Sequence, residues 1–300
     1  MPIPEPYPQS VHCRDVAMLL REPERRVRRI LNKNRRFIAW LEKRRNRPQS
    51  AACLARHAAG ISIPRAEQFR ELGETDVRSR IIVCFHYGDF VYGMNRLMCL
   101  EAPQRQRLLL CQRRSSAAYF HNMRRAFGER TAGPEDEILV HETSPTQLAA
   151  RLRRGGTSLL TFCDLPLGMG ARVGVRLLLR RASLSRGAAT LAVAASVPLL
   201  PVICSRSQGF TRVLIGRQLE PVPRLGESRS QLIVRLSQSL ALILEQRVQE
   251  APEYWRYISL LPHYFASAKA GDVGEPAVGS PGNAANWLPL QPRQRQGAQR

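Results

Sequence analysis

Three hundred residues are enough for one large domain or two small ones. A composition of 44% hydrophobic and 23% charged residues excludes a chain too polar to bury a core. The formal net charge is +22, and Lys33, Lys43 and Lys269 are the only lysines, so arginine carries nearly all of it. Such a surface attracts nucleic acid, anionic lipid headgroups or an acidic carrier protein, although arginine-rich codon usage produces the same excess without a function.

Residues 14–48 read as helix, with a break at Pro23. Val16, Leu19, Leu20, Val27, Ile30, Leu31, Phe37, Ile38 and Leu41 recur at helical spacing, opposite a face rich in arginine. Two readings fit this pattern: an interfacial helix on anionic lipid, or a helix packed on the core with its basic face in water. From 79 onward, short apolar runs alternate with helical ones. Strands are expected at 80–85 (RIIVCF), 107–111 (RLLLC), 138–141, 157–162 (TSLLTF), 199–204 and 212–215. Helices are expected at 90–100, 116–127, 144–154, 185–196 and 229–251. That alternation predicts an α/β domain over 79–265, with a central, mostly parallel sheet flanked by helices. It follows a basic helical region over 1–78 and precedes a tail at 266–300, rich in Ala, Gly, Pro and Gln, that is expected to be disordered.

The seven cysteines, at 13, 53, 84, 99, 111, 163 and 204, show no CxxC and no paired spacing. Buried free thiols in a reducing compartment are therefore expected, with no zinc site and no cofactor. The N-terminal stretch MPIPEPYPQS has no basic region followed by an apolar one, so no export signal is expected. The longest apolar run, 188–204, is broken by Pro198 and Pro201 and falls short of the ~20 residues that span a bilayer.

Chemistry in open α/β sheets collects at the carboxyl ends of strands. Two expected strands end in polar residues: RIIVCF runs into His86-Tyr87-Gly88-Asp89, and TSLLTF into Cys163-Asp164. Gly88 permits a tight turn, and Asp89 is placed to cap the next helix. An imidazole there suits general-base work near neutrality; a lone histidine after a strand is otherwise a hydrogen-bonded structural residue. Cys84 and Cys163 have no adjacent basic activator and read as core thiols.

From His86 onward the chain resembles the bacterial lipid A biosynthesis acyltransferases (the lauroyl and myristoyl transferases) of the lysophospholipid acyltransferase superfamily. The ordered blocks are IIVCFHYGDF, NMRRAFGER, RRGGTSLLTFCDLPLG, AATLAVAASVPLLPV and LILEQRVQEAPEYWRYI, within residues 79–261. The resemblance implies a glycerolipid acyltransferase-like fold preceded by amphipathic helices. It also implies a peripheral enzyme on the cytoplasmic face of the inner membrane, which moves a fatty acyl group from acyl carrier protein or acyl-CoA to a hydroxyl or amine of a lipid-like acceptor. His86 is the general base in that scheme. The family's His-x4-Asp/Glu spacing falls on Val91, so the nearest acid is Asp89, with Asp136, Glu142 and Asp164 as other sources of a carboxylate. Asp164, Arg124, Arg125 and Arg180 are the implied substrate contacts, and the family's Phe-Gly is replaced by Leu179-Arg180.

Two other readings compete. Val91 fits a catalytically silent lipid-binding or scaffold relative. Charge alone fits a nucleic-acid binder, but the chain shows no helix-turn-helix, zinc or RNA-recognition signature and only 6% aromatic residues, so no nucleic acid is expected.

Overall fold

The structure is a computed structural model, and it describes residues 13–46, 53, 56–57, 59–102, 104–111, 137–140, 144–166, 170–207 and 210–266. Two helices, α1 (Cys13–Leu20) and α2 (Glu24–Asn46), flank the Pro23 break. Arg21 adopts a left-handed φ of 56° between them. The two-residue strand β1 (Ile61–Ser62) and α3 (Ala66–Thr75) follow. Then come β2 (Arg80–Cys84), α4 (Phe90–Cys99), β3 (Gln106–Cys111), β4 (Glu137–Val140), α5 (Pro145–Arg153) and β5 (Thr157–Phe162). The hairpin β6 (Arg172–Leu177) and β7 (Arg180–Ser185) precedes α6 (Gly187–Ala195), β8 (Leu199–Ser207) and β9 (Phe210–Ile215). The long α7 (Arg229–Glu250), two 3-10 turns (Pro252–Tyr254 and Ile258–Leu260) and α8 (Leu261–Ala266) close the described chain.

Seven strands form one sheet in the order β1-β9-β8-β2-β5-β3-β4. The run from β8 to β4 is parallel, β9 lies antiparallel to β8, and β1 pairs parallel with β9. Every residue of β2 is buried, as expected of a strand covered on both faces. Its side chains alternate between two cores. Ile81, Val83 and Phe85 join the larger cluster with α1, α5, α6 and α7, while Ile82 and Cys84 join Phe90, Met94 and Leu97 of α4. Each fully buried aliphatic side chain contributes roughly 1.5–3 kcal/mol, so β2 is anchored from both sides.

The expected strands and helices outside 116–127 are present, with ends shifted by a few residues; 116–127 and 267–300 lie outside the described residues. Three features were left open by the sequence. The segment 172–185, for which the sequence predicts no strand, is a β-hairpin, and α6 begins at Gly187. The hairpin turn, Leu178-Leu179, has left-handed φ values of 51° and 61° with no glycine or asparagine to announce it. Tertiary contacts hold it: Leu178 is buried, and its N–H donates to Glu245 Oε2 at 3.0 Å. Secondly, β1 and α3 carry the region before 79 into the main fold, with Phe69 packed in the smaller core.

Thirdly, the apolar face of α2 is spent on protein. Val27 and Ile30 are in the larger core, and Asn34 Nδ2 donates to the carbonyls of Glu253 and Trp255 at 2.9 Å each. Arg25, Arg28, Arg29, Arg35 and Arg36 remain exposed on the opposite side. This is the core-packed helix with a solvated basic face. Among the described residues, no helix is long and apolar enough to cross a membrane.

Candidate active site

The parallel pairing of β2 with β5 is in register from Arg80↔Ser158 through Cys84↔Phe162. Two residues beyond that last pair stand His86 and Asp164. His86 Nδ1 lies 2.8 Å from Asp164 Oδ1, and the backbone N–H of His86 donates to Asp164 Oδ2 at 2.8 Å. Trp255 Nε1 donates to the same Oδ2 at 2.9 Å, and the Tyr264 hydroxyl donates to the Asp164 backbone carbonyl at 2.8 Å. The Asp164 side chain is 0% exposed, so these partners replace its lost hydration. The His86 side chain retains 12% exposure.

A carboxylate at Nδ1 selects the tautomer in which Nδ1 carries hydrogen and Nε2 carries the lone pair. No hydrogen bond engages Nε2 among the described residues. The ring is fixed by aromatic neighbours: Phe162 at 4.3 Å between centroids, Phe90 at 4.8 Å and Tyr257 at 5.0 Å. The loop carrying His86 is also strapped to the segment after α7. Arg256 N–H donates to the His86 carbonyl at 2.8 Å, and Gly88 N–H donates to the Tyr254 carbonyl at 2.9 Å. Gly88 has φ +59°, and a Cβ there would lie 1.9 Å from the Cys204 carbonyl oxygen. Only glycine fits that crossing.

Asp89, the expected catalytic partner, is engaged elsewhere. It occupies the N-cap position of α4, but its carboxylate makes no capping bond and pairs with Arg44 of α2. Burial pushes its pKa up, against the opposing pull of Arg44 and Arg206. The acid on the imidazole is Asp164, which corrects the assignment of Asp89 to that role. Asp164 itself, expected as a substrate contact, is sealed beneath the ring and acts on the ring.

Of the other expected residues, Arg180 is described and lies on a different element from this pair. Arg180 is exposed at the start of β7, beside the hairpin turn, and Arg181 and Arg186 are exposed on the same hairpin and its exit. Arg124, Arg125, Asp136 and Glu142 lie outside the described residues. Cys84 and Cys163 are buried, and burial pushes both thiols well above their ordinary range, which suits core residues. Among the described residues, no three His, Cys, Asp or Glu side chains are grouped to hold a metal ion.

Sequence reasoning missed Trp255, Tyr257 and Tyr264 as site residues. Their signal was the aromatic density of EYWRYI and HYF after the closing helix, which a packed core would also produce. Phe90 connects the histidine to a cleft: its ring meets the imidazole edge-on, and it lines the cleft with Leu41, Glu42, Val91, Tyr92 and Arg256. No protein-family model matches the chain, and no curated protein matches it significantly.

Proposed function

We propose that the protein is an acyltransferase in which His86 is the general base and Asp164 the residue that positions it. The observation that carries this reading is the 2.8 Å contact between His86 Nδ1 and a fully buried carboxylate at the carboxyl ends of adjacent parallel strands. In the reaction, Nε2 takes the proton from an acceptor hydroxyl or amine as that oxygen or nitrogen attacks the thioester carbonyl of acyl carrier protein or acyl-CoA. The tetrahedral intermediate collapses with breakage of the carbon–sulfur bond. The imidazolium, stabilised by Asp164, returns its proton to the departing sulfur. Resemblance to the lipid A acyltransferase blocks supplies the substrate class, a lipid-like acceptor, and a fold of glycerolipid acyltransferase type. The exposed arginines of α2 support work at an anionic membrane surface, on the cytoplasmic face of the inner membrane in this reading. The silent-scaffold alternative drew on Val91; the contact of Asp164 with His86 favours the enzyme reading over it.

The test is acyl transfer by the purified chain from acyl carrier protein or acyl-CoA to lipid acceptors, with and without His86→Ala. Loss of about 10⁴–10⁶ in rate is expected on removing the base, at least as large as on removing the residue that orients it. Equal rates would take His86 out of the mechanism.

A further inference from the structure

The segment after α7 that straps the His86 loop has a second edge, and α2 holds it. On the loop side, the Tyr254 carbonyl accepts from Gly88 N–H at 2.9 Å and Arg256 N–H donates to the His86 carbonyl at 2.8 Å. The alternate carbonyls, those of Glu253 and Trp255, each accept from Asn34 Nδ2 at 2.9 Å. Asn34 is 5% exposed and Trp255 0%. The Trp255 indole in turn donates to Asp164 Oδ2 at 2.9 Å, and Asp164 Oδ1 meets His86 Nδ1 at 2.8 Å. A buried series of hydrogen bonds thus links the imidazole to α2, a helix the sequence sets apart from the α/β domain.

We infer that Asn34 is a positioning residue of the active site, fixing the strap so that the Trp255 indole holds Asp164 and thereby the His86 ring. For the reaction this rests on the acyltransferase reading; for the orientation of the ring it stands without it. An amide NH2 carries two hydrogens, and here each strap carbonyl receives one. Both partners are acceptors, so the oxygen half of the amide cannot take that place. A buried carbonyl without a donor is costly, so the strap shifts when residue 34 cannot donate. A shift of the Trp255 backbone changes where its indole points, and reacting groups misplaced by about 1 Å can lose about 10² in rate. Other ties between α2 and the strap end on side chains rather than on the backbone that carries Trp255. Lys33 Nζ lies 3.5 Å from Glu253 Oε1 with 68% of its side chain exposed, and Phe37 meets the Tyr254 ring edge-on at 5.1 Å.

The experiment compares the full chain with Asn34→Asp, Asn34→Ser and Lys33→Ala, by acyl-transfer kinetics and by NMR of the Trp255 indole and His86 imidazole nitrogens. Signals are assigned with Trp255→Phe and His86→Ala. Asn34→Asp keeps the shape but offers the carbonyls no hydrogen, and Asn34→Ser keeps one hydroxyl too short to bridge them. In both, kcat is expected to fall roughly tenfold or more with KM unchanged. The indole N–H resonance should move, and part of the imidazole hydrogen should pass from Nδ1 to Nε2. Lys33→Ala should leave kcat and both resonances as in the parent. In a Trp255→Phe background, Asn34→Asp should lower the rate less than it does alone, because the link it acts through is gone. A folded Asn34→Asp whose kcat and resonances match the parent overturns the proposal, as does an undiminished rate loss in the Trp255→Phe background. Should Asn34→Asp fail to fold, Asn34→Ser decides it. The resonances need no turnover, so they still test Asn34 if the chain transfers no acyl group. If they stay unmoved while His86→Ala abolishes transfer, the role of Asn34 falls and the acyltransferase reading stands.

Discussion

β2 buries an acid–base pair at each of its ends, and the two ends do different things. At its start, Arg80 and Arg105 enclose Glu101; the side chains of Arg80 and Glu101 are 4% and 0% exposed. Both arginines also donate to Ser158 Oγ, and Arg105 donates to the carbonyls of Asp76 and Arg78 at 2.6 and 2.8 Å. Burial pulls the Arg105 pKa down, aided by Arg80 and opposed by Glu101, but an arginine remains charged throughout the working range. The atoms left over there, Arg80 Nη1 and Glu101 Oε2, are shut away from solvent. At the other end the base is an imidazole, one nitrogen is held by Asp164, and the ring keeps some exposure. Buried charge alone therefore does not mark a site. What distinguishes the second end is a ring whose other nitrogen carries no hydrogen bond among the described residues.

Substitutions at the two ends should separate along that line. Among these, the largest effect is expected for Asp164→Asn, with the proposed acyl transfer falling by up to about 10⁴. The new amide accepts from the backbone and Trp255 through its oxygen, presents N–H to Nδ1, and so moves the imidazole hydrogen to Nε2. Stability should fall by only about 1–3 kcal/mol, so a folded variant that keeps activity within tenfold would remove Asp164 from its positioning role. Next is Glu101→Ala, expected to cost about 3–5 kcal/mol in denaturant unfolding because two buried guanidiniums lose their counter-charge. Its rate per folded molecule should stay that of the parent; a selective loss of rate would erase the distinction between the two ends. Trp255→Phe keeps the packing but removes one donor to Asp164, for a loss of about 1–2 kcal/mol and a smaller change in rate than Asp164→Asn. The smallest effect lies away from both ends, at Glu227, whose pKa is lowered to about 2 chiefly by the hydrogen bonds from Arg235. A depressed folded-state value adds stability that is fully present above the ordinary value of 4.5 and declines as pH falls toward 2. Glu227→Gln should flatten that part of the acid-unfolding profile, and an unchanged profile would show that the pair contributes nothing.

The contrast between β2 and the β6–β7 hairpin explains why one was legible and the other was not. RIIVC is an uninterrupted apolar run, and a strand covered on both faces needs nothing else. RVGVRLLLRRASLS carries a turn through two leucines in the left-handed region, a conformation leucine avoids unless outside contacts hold it. Glu245, far along the chain on α7, supplies one of those contacts. Helix α7 shows the opposite case: Ser228 and Gln231 satisfy each other's end of the helix as a capping box, at 3.2 and 2.8 Å, with the stop at the Ala-Pro that follows Glu250.

Local order along the chain was enough to determine the alternation of strands and helices, the burial of Cys84, Cys163 and Cys204, and a histidine at the end of an inner strand, because period and turn chemistry act between near neighbours. Which acid meets that histidine was decided by the sheet alone. Asp89 is three residues away and turns to Arg44; Asp164 is 78 residues away and is delivered by strand register. Pairing of β2 with β5 is a long-range choice made by two cores packing at once, and no spacing within HYGDFV encodes it.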